Sequence, residues 1–216
     1  MKVHQIVDLS FDVNLYFIDS PKPVLIDSGL GGDGRRIASL LAQLLGERRL
    51  SAIILTHRHI DHSGGAAELS AKFSTEVFTS PIEADSLIQG DQITTGAISF
   101  GMPITRIPAK TLGFDSSFDI GDGVLKVIHT PGHTSGSICL YHEKTNSIFT
   151  GDVVFAHGSV GRWDLPTGDY NQLVQSIEKL KTMDIKNLYP GHGPFVEEDG
   201  SEHIDLGLNA LKTAFW

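Results

Sequence analysis

Four side chains that can bind a metal ion follow one short apolar run in the first third of the chain. The segment 56–65 reads THRHIDHSGG after the apolar residues 52–55, and its donors are His57, His59, Asp61 and His62. Side chains alternate across an extended backbone, so the first two imidazoles point to one side and the next two donors follow on a turn. Nitrogen and oxygen donors without thiolates suit Zn²⁺, Fe²⁺ or Mn²⁺ and argue against a closed structural zinc site.

Three further donors occupy similar positions later in the chain. They are His133 in TPGHTSGS, Asp152 in TGD and His192 in YPGHG. Each follows a short β-like run and stands beside glycine or proline, which is typical of a strand end that leads into a turn. Because strand ends can converge on one edge of a sheet, we predict that all of these donors meet at one site.

The order of these motifs resembles the metallo-β-lactamase superfamily. The series H-x-H-x-D-H, then His133, Asp152 and His192, makes the resemblance extend over residues 27–192. The stretches GDVVF at 151–155 and GSVGRWDLP at 158–166 further resemble its glyoxalase II-like branch, the hydroxyacylglutathione hydrolases and their single-domain relatives. The resemblance implies an α/β fold, a four-layer αββα sandwich of two mixed β-sheets, with a single domain over residues 1–216.

The resemblance also implies two divalent metal ions that share the carboxylate of Asp152 as a bridge. The other ligands divide into one set of His57, His59 and His133 and a second set of Asp61, His62 and His192. We expect zinc, with iron or manganese as alternatives, because the same donors suit several metals.

Such a centre is suited to hydrolysis, since two metal ions lower the pKa of a shared water from about 15.7 towards neutrality. The predicted reaction is hydrolysis of a thioester, such as an S-acyl or hydroxyacyl glutathione-like conjugate, by attack of the metal-bridging hydroxide. A cysteine-like thiol has a pKa of about 8.5, so the thiolate leaves without a strong general acid. Asp61 is a candidate for orienting the nucleophile in addition to binding metal.

Three further side chains have predicted roles. Asp27, in IDSG at a strand end, matches the family position whose carboxylate supports the metal ligands. Arg162 lies in GRWD, which lines the active site of the glyoxalase II-like relatives, and we expect it to bind a substrate carboxylate or to pair with Asp164. Arg58 stands between two ligands and should point away from the metals, into solvent or a salt bridge.

Other functions also fit the motifs. A persulfide dioxygenase would need one iron, held by His57, His133 and Asp152. A lactone or phosphodiester hydrolase and a non-enzymatic, metal-stabilised binding protein are further alternatives. Only 24 residues follow His192, whereas classical glyoxalase II carries a C-terminal helical domain that helps to bind glutathione. The identity of the thiol carrier is therefore open.

Composition is typical of a soluble enzyme with a small-molecule substrate. The formal net charge of -9 disfavours a general nucleic-acid surface, and one cysteine excludes an intramolecular disulfide. No apolar run reaches the roughly 18 residues of a membrane span, and no N-terminal segment resembles a signal peptide. We expect a cytoplasmic protein without nucleic-acid or membrane partners.

The hydrophobic periodicity predicts the elements that position the donors. Predicted strands cover 3–7, 15–18, 24–26, 52–55, 76–79, 120–128, 137–141, 147–149 and 186–188. The segment 31–34 opens the first predicted helix, and further predicted helices cover 63–73, 81–89, 170–183 and 205–215. The segment 91–107 fits either a substrate-side loop or short strands. Strands followed by helices in each half predict two sheets face to face, with helices outside.

Overall fold

Two mixed β-sheets form the centre of the computed structural model, which describes residues 1–213. The first sheet contains, in spatial order, β1 (Lys2–Asp8), β2 (Val13–Asp19), β3 (Val24–Ile26), β4 (Ala52–Ile54), β5 (Val77–Thr79) and β6 (Lys110–Thr111). The second contains, also in spatial order, β11 (Asn187–Pro190), β10 (Ser147–Gly151), β9 (Ile138–His142), β8 (Val124–His129) and β7 (Ser117–Asp119). β3 to β6 run parallel, as do β10 and β11, and the other neighbours are antiparallel.

Helices cover the outer faces of the two sheets. They are α1 (Gly34–Leu45), α2 (Ile60–Ser63), α3 (Ala66–Phe73), α4 (Pro81–Gln89), α5 (Ala97–Phe100), α6 (Tyr170–Lys181) and α7 (Gly200–Thr213). The apolar face of α1 packs on the first sheet, and the apolar faces of α6 and α7 pack on the second. Among residues 1–213, no helix has the length and apolar character needed to cross a membrane. The predicted layer order, helix, sheet, sheet, helix, is confirmed.

The central strands β2, β3 and β4 of the first sheet are buried on both faces, and their side chains alternate between those faces. In β2, Leu15 and Phe17 face the helices, whereas Tyr16 and Ile18 face the second sheet. β3 and β4 follow the same alternation. On the other side of the sandwich, Phe149 of β10 lies in the layer between the sheets. The two sheets are therefore joined by a continuous apolar layer that brings their strand ends to one edge.

Two predicted elements were wrong in extent, and both errors occur at glycines. The first four residues of the predicted strand 120–128 form the turn between β7 and β8, because Gly121 adopts a φ of 91° and turns the chain. The predicted helix 63–73 begins only at Ala66, as α3, because the helical chain is interrupted between α2 and α3 at residues 64 and 65. A Cβ on Gly64 would lie 2.4 Å from the carbonyl oxygen of Leu30, so the chain passes too close there for any other residue. The helix break therefore reflects a tertiary contact.

Two other segments were only partly predicted. The undecided segment 91–107 forms a loop that contains the short helix α5 and no strand. The final helix begins at Gly200, earlier than the predicted residue 205, and its predicted last residues, 214 and 215, lie outside the described residues.

The apolar layer between the sheets gives a stability prediction. Phe149 is fully buried, stacks on Tyr189 at a centroid distance of 5.0 Å and lies 5.6 Å from the ring of Tyr16. We expect Phe149→Ala to lower the free energy of unfolding by about 3–5 kcal/mol, because it leaves a cavity between the sheets. Ile88→Ala, on the exposed face of α4, is the control and should change it by less than about 0.5 kcal/mol. Urea unfolding measures both, and equal effects would contradict this account.

Candidate metal centre

The predicted ligands lie on four loops at one edge of the sandwich. The loop after β4 carries the cluster 57–62, and the loops after β8, β10 and β11 carry His133, Asp152 and His192 respectively. Each loop starts where a strand leaves the sheet. Strand ends therefore converge as expected from the sequence. They come from both sheets, since β4 belongs to the first sheet and β8, β10 and β11 belong to the second.

The donor atoms form compact groups. Three overlapping sets each have all donor atoms within 4.8 Å of one another: His57, His59 and His133; His57, His62 and Asp152; and Asp61, His62 and His192. Within the first set, His59 Nδ1 lies 2.8 Å from His133 Nε2. Within the third, the Nε2 atoms of His62 and His192 are 3.4 Å apart. The first and third sets coincide with the two predicted ligand sets, and the ligand assignment itself stays a prediction.

Asp152 lies between these sets. Its Oδ1 is 3.2 Å from Nε2 of His62. Its Oδ2 is 3.6 Å from Nε2 of His133 and 3.5 Å from Nε2 of His192. The two oxygens of one carboxylate thus face donors from both sets, which is the position that a bridging ligand requires.

Unpartnered buried atoms show that the cluster fits metal ions. Nε2 of His57 is buried without a hydrogen-bond partner, and so is Oδ1 of Asp152, whose close contact with Nε2 of His62 is not a hydrogen bond. Burying a polar atom without a partner is costly, so such atoms call for an explanation such as an ion. The donors are imidazole nitrogens and carboxylate oxygens, which suit divalent transition metals. The cluster therefore fits a site for two divalent metal ions.

Burial keeps two of the imidazoles neutral. It lowers the pKa of His57 well below its usual range, and neighbouring histidines lower it further. Burial also lowers the pKa of His59 to about 3, again with a contribution from His133. A metal ion binds the neutral imidazole, so both side chains are held in the form that can bind metal.

Carboxylates have the opposite effect on the two histidines of the third set. Burial opposes charge on His62, but the negative charges of Asp152, Asp61 and Asp27 outweigh it and raise its pKa well above the usual range. Burial likewise opposes charge on His192, yet its hydrogen bonds to Asp152 and Asp61 raise its pKa to about 10. This part of the site therefore favours positive charge.

Asp27 supports the ligand loop from the adjacent strand end. Its Oδ2 accepts a hydrogen bond from Nδ1 of His62 at 2.9 Å, and its Oδ1 accepts one from the backbone N–H of Thr56 at 2.8 Å. Thr56 Oγ1 in turn lies 3.0 Å from Nδ1 of His57. Asp27 has a φ of 58°, a left-handed conformation that Asp tolerates better than most residues. The structure thus places this carboxylate where the predicted supporting role requires it.

Two other histidines are oriented by backbone carbonyls. Nδ1 of His133 donates to the carbonyl of Arg162 at 2.7 Å, and Nδ1 of His192 donates to the carbonyl of Asp12 at 3.0 Å. Such bonds fix the tautomer and leave Nε2 free to face the centre. Sequence reasoning missed both partners, because a backbone carbonyl acceptor carries no residue-type signal. It also missed the hydroxyl of Thr56.

Arg58 is buried and salt-bridged, so only one of its two predicted environments is observed. Its guanidinium pairs with the fully buried Glu83 of α4 and donates to Ser135 Oγ at 3.2 Å. Glu83 Oε1 also accepts from Thr134 Oγ1 at 2.8 Å. These bonds tie the loop of residues 57–62 to the loop that carries His133, so Arg58 positions ligands although it faces away from them.

Arg162 forms a two-point ion pair with Asp164, at 2.9 Å from Nε and 2.7 Å from Nη2. Both side chains are exposed. Pairing with Asp164 was one of the two predicted roles. The other, binding of a substrate carboxylate, stays a prediction; Arg162 is among the residues that line a cleft of about 500 Å³, together with Asp61, Asp152 and His192.

Comparison with known families is consistent with this geometry. A family model described as the metallo-beta-lactamase superfamily matches residues 10–192. The chain belongs to the metallo-β-lactamase superfamily. All seven predicted ligands fall inside the matched range, and the resemblance found in the sequence is confirmed.

Similar sequences within the superfamily include hydrolases. A probable metallo-hydrolase of Methanocaldococcus jannaschii is 37% identical over 85% of this chain and 88% of its own. The hydroxyacylglutathione hydrolase GloC of Haemophilus influenzae is 30% identical over 91% of this chain and 92% of its own. The acyl-coenzyme A thioesterase MBLAC2 of Gallus gallus is 34% identical over 79% of this chain and 69% of its own. The likeness to GloC supports the glyoxalase II-like branch.

Solved structures of the superfamily have the same architecture. The crystal structure of TTHA1623 in a di-iron-bound form is 30% identical, with a TM-score of 0.77 over 96% of both chains. That of the BLEG-1 B3 metallo-beta-lactamase is 31% identical, with a TM-score of 0.81 over 97% of this chain and 96% of the other. A superfamily member similar to this chain thus holds two metal ions.

The central position of Asp152 gives a prediction about metal content. We expect Asp152→Ala to lower metal occupancy at both positions, because each ion loses the shared carboxylate. Metal per chain, measured by mass spectrometry after dialysis against metal-free buffer, checks this. Asp164→Ala is the matched control, since it removes an exposed carboxylate outside the cluster. Unchanged stoichiometry, or loss of only one ion, would contradict a bridging role.

The buried ion pair gives a prediction about stability. Arg58→Ala should lower the free energy of unfolding by about 3–5 kcal/mol, because the buried carboxylate of Glu83 loses its partner. The double variant Arg58→Met with Glu83→Leu removes both charges and should recover most of the loss. Urea unfolding at a constant excess of Zn²⁺ measures both. A double variant as unstable as the single one would show that the loss does not come from the unpaired charge.

Proposed function

We propose that this protein is a zinc-dependent thioester hydrolase of the glyoxalase II-like branch. The observation that carries the proposal is the position of Asp152 between two complete ligand sets. The similarity to a hydroxyacylglutathione hydrolase and to an acyl-coenzyme A thioesterase supports the thioester as the bond that is cleaved.

Two divalent metal ions at this site would lower the pKa of a shared water to about 7 and so supply hydroxide at neutral pH. The protein's own residues hold and orient the groups around that water. Asp27 fixes the ring of His62 through Nδ1. Asp61 lines the cleft, with Oδ2 3.4 Å from Nε2 of His192, and we propose that it orients the nucleophile.

The leaving group places few demands on the protein. A cysteine-like thiol has a pKa of about 8.5, so its thiolate departs without a proton from the enzyme. The described carboxylic acids that line the cleft are Asp61 and Asp152, both of them proposed ligands. The lack of a separate general acid among these residues is consistent with a thiolate leaving group.

The proposed dinuclear centre differs from that of a persulfide dioxygenase in its second ligand set. One iron would use His57, His133 and Asp152 alone. Here Asp61, His62 and His192 converge on the same carboxylate, with donor atoms within 4.8 Å of one another. This convergence supports two ions, and we propose Zn²⁺ for both.

Metal analysis together with turnover tests the function. We expect two metal ions per chain and release of free thiol from S-lactoylglutathione or a simple S-acetyl thioester, with activity lost in a chelator and restored by Zn²⁺. Thiol release is followed by a colorimetric thiol reagent, and Asp152→Ala serves as the inactive reference. One iron per chain with persulfide-dependent oxygen uptake, and no thiol release, would overturn the proposal.

A further inference from the structure

The cleft beside the metal centre has a largely apolar wall. Its volume of about 500 Å³ is in the range of about 300–1,000 Å³ that is usual for small-molecule sites. Its apolar lining consists of Phe11, Ile93, Ile98, Phe100, Phe155, Val160, Leu165 and Pro166. The proposed ligands that line it belong to one cluster, so the cleft has a reactive part and a mainly apolar remainder.

Several of these side chains are exposed, although burial would be favourable for them. Phe11 is 47% exposed, Ile93 64% and Ile98 68%. Single exposed apolar residues are common on proteins, whereas a group of them along one concave surface marks a binding site. These three line the same cleft, so a ligand with apolar surface would cover them.

The apolar wall begins directly at the metal centre. The ring centroids of Phe155 and Phe11 lie 5.8 and 6.3 Å from that of His192. Phe11 also packs edge-on against Phe100 of α5, with centroids 4.6 Å apart. If a substrate carbon reacts at the metal centre, its substituent would therefore contact these aromatic rings directly.

Backbone hydrogen bonds hold this wall in place relative to the ligands. The N–H of Ile60, between two proposed ligands, donates to the carbonyl of Thr95 at 2.8 Å. The N–H of Ile98 donates to the carbonyl of Gln92 at 3.1 Å, and the Gln92 side chain donates to the carbonyl of Ile104, also at 3.1 Å. The distance from wall to metal centre is thus set by the fold.

The wall offers little positive charge to an anionic group. Apart from histidines, Arg162 is the one cationic residue among the described residues that line the cleft, and its Nε and Nη2 already donate to Asp164. A carboxylate or phosphate held against the apolar side chains would lose water with little compensation, which is unfavourable. An uncharged chain would not have this cost.

We infer that the cleft is an acyl-chain site, and that the substrates are thioesters of aliphatic acids recognised through the acyl chain rather than through the thiol carrier. This inference rests on the proposed thioesterase function and names its substrate class. The carbonyl carbon lies at the metal centre, the chain runs along Phe11, Ile93 and Ile98, and the carrier extends towards solvent. Hydrolysis adds water across the C–S bond and releases a fatty acid and a thiol.

A series of N-acetylcysteamine thioesters tests the acyl site, because this thiol carrier is uncharged and stays the same while the chain grows from acetyl to decanoyl. We expect kcat/KM to rise by up to about fourfold per buried methylene group until the cleft is filled, which corresponds to about 0.8 kcal/mol each. S-octanoylglutathione should gain little over the matching N-acetylcysteamine thioester, since the one arginine of the cleft is already paired with Asp164.

Variants locate the site. Ile93→Ser with Ile98→Ser should lower the decanoyl-to-acetyl ratio of kcat/KM by at least tenfold, and both positions are exposed enough for the fold to tolerate serine. Ile88→Ser is the matched control, because it is also an exposed isoleucine of the same region but does not line the cleft. It should leave the ratio unchanged. An equal drop in both variants would overturn the assignment.

Calorimetry with free decanoate and acetate separates this inference from the proposed function. We expect decanoate to bind at least tenfold more tightly than acetate, and the double serine variant to lose that difference. If no thioester is hydrolysed but decanoate shows this preference, the function fails and the acyl site stands. If acetyl thioesters are hydrolysed but activity is flat or falls with chain length, the acyl site is wrong and the function stands.

Discussion

Buried negative charge without a permanent cation is the constraint on which this structure depends. Asp27, Asp61 and Asp152 are each less than 10% exposed, and they surround a centre whose balancing groups are histidines. Buried carboxylates are strongly unfavourable unless they are paired with positive charge. Among residues 1–213, the only buried guanidinium is that of Arg58, and it is already paired with Glu83. The centre must therefore hold cations, either as protons on imidazole or as metal ions.

The sandwich meets this constraint by bringing several chain ends to one edge. The central strands of the first sheet place apolar side chains on both faces. One of these faces packs against the second sheet, and this packing sets the end of β4 relative to the ends of β10 and β11. The loops are then held by short-range bonds at their bases, such as Ser28 Oγ to the carbonyl of His62 at 2.8 Å. Packing thus determines the distances between ligands, and hydrogen bonds determine the orientation of their rings.

The sequence predicted the parts of this arrangement that depend on residue type and local periodicity. Strand 24–26 and helix 81–89 have the predicted bounds, the latter because Ser80 caps it and Pro81 occupies its first turn. The ligand motifs were recognisable because closely spaced histidine and aspartate residues indicate metal binding by their type alone. The helix break at Gly64 and the carbonyls that orient His133 and His192 depend on contacts between distant segments. The same holds for the apolar wall, whose members are spread over more than 150 residues.

The ligand sets are divided between the two halves of the chain. His59 and His133 are separated by 74 positions, and His62 and His192 by 130. Neither set is complete in a growing chain until the second sheet has been synthesised and has docked on the first. Metal affinity would then belong to the finished fold, because a site that does not exist in the unfolded chain contributes its binding energy to folding. The ions would then link the two halves of the chain only after the two sheets have packed together, and metal binding would indicate that this packing is complete.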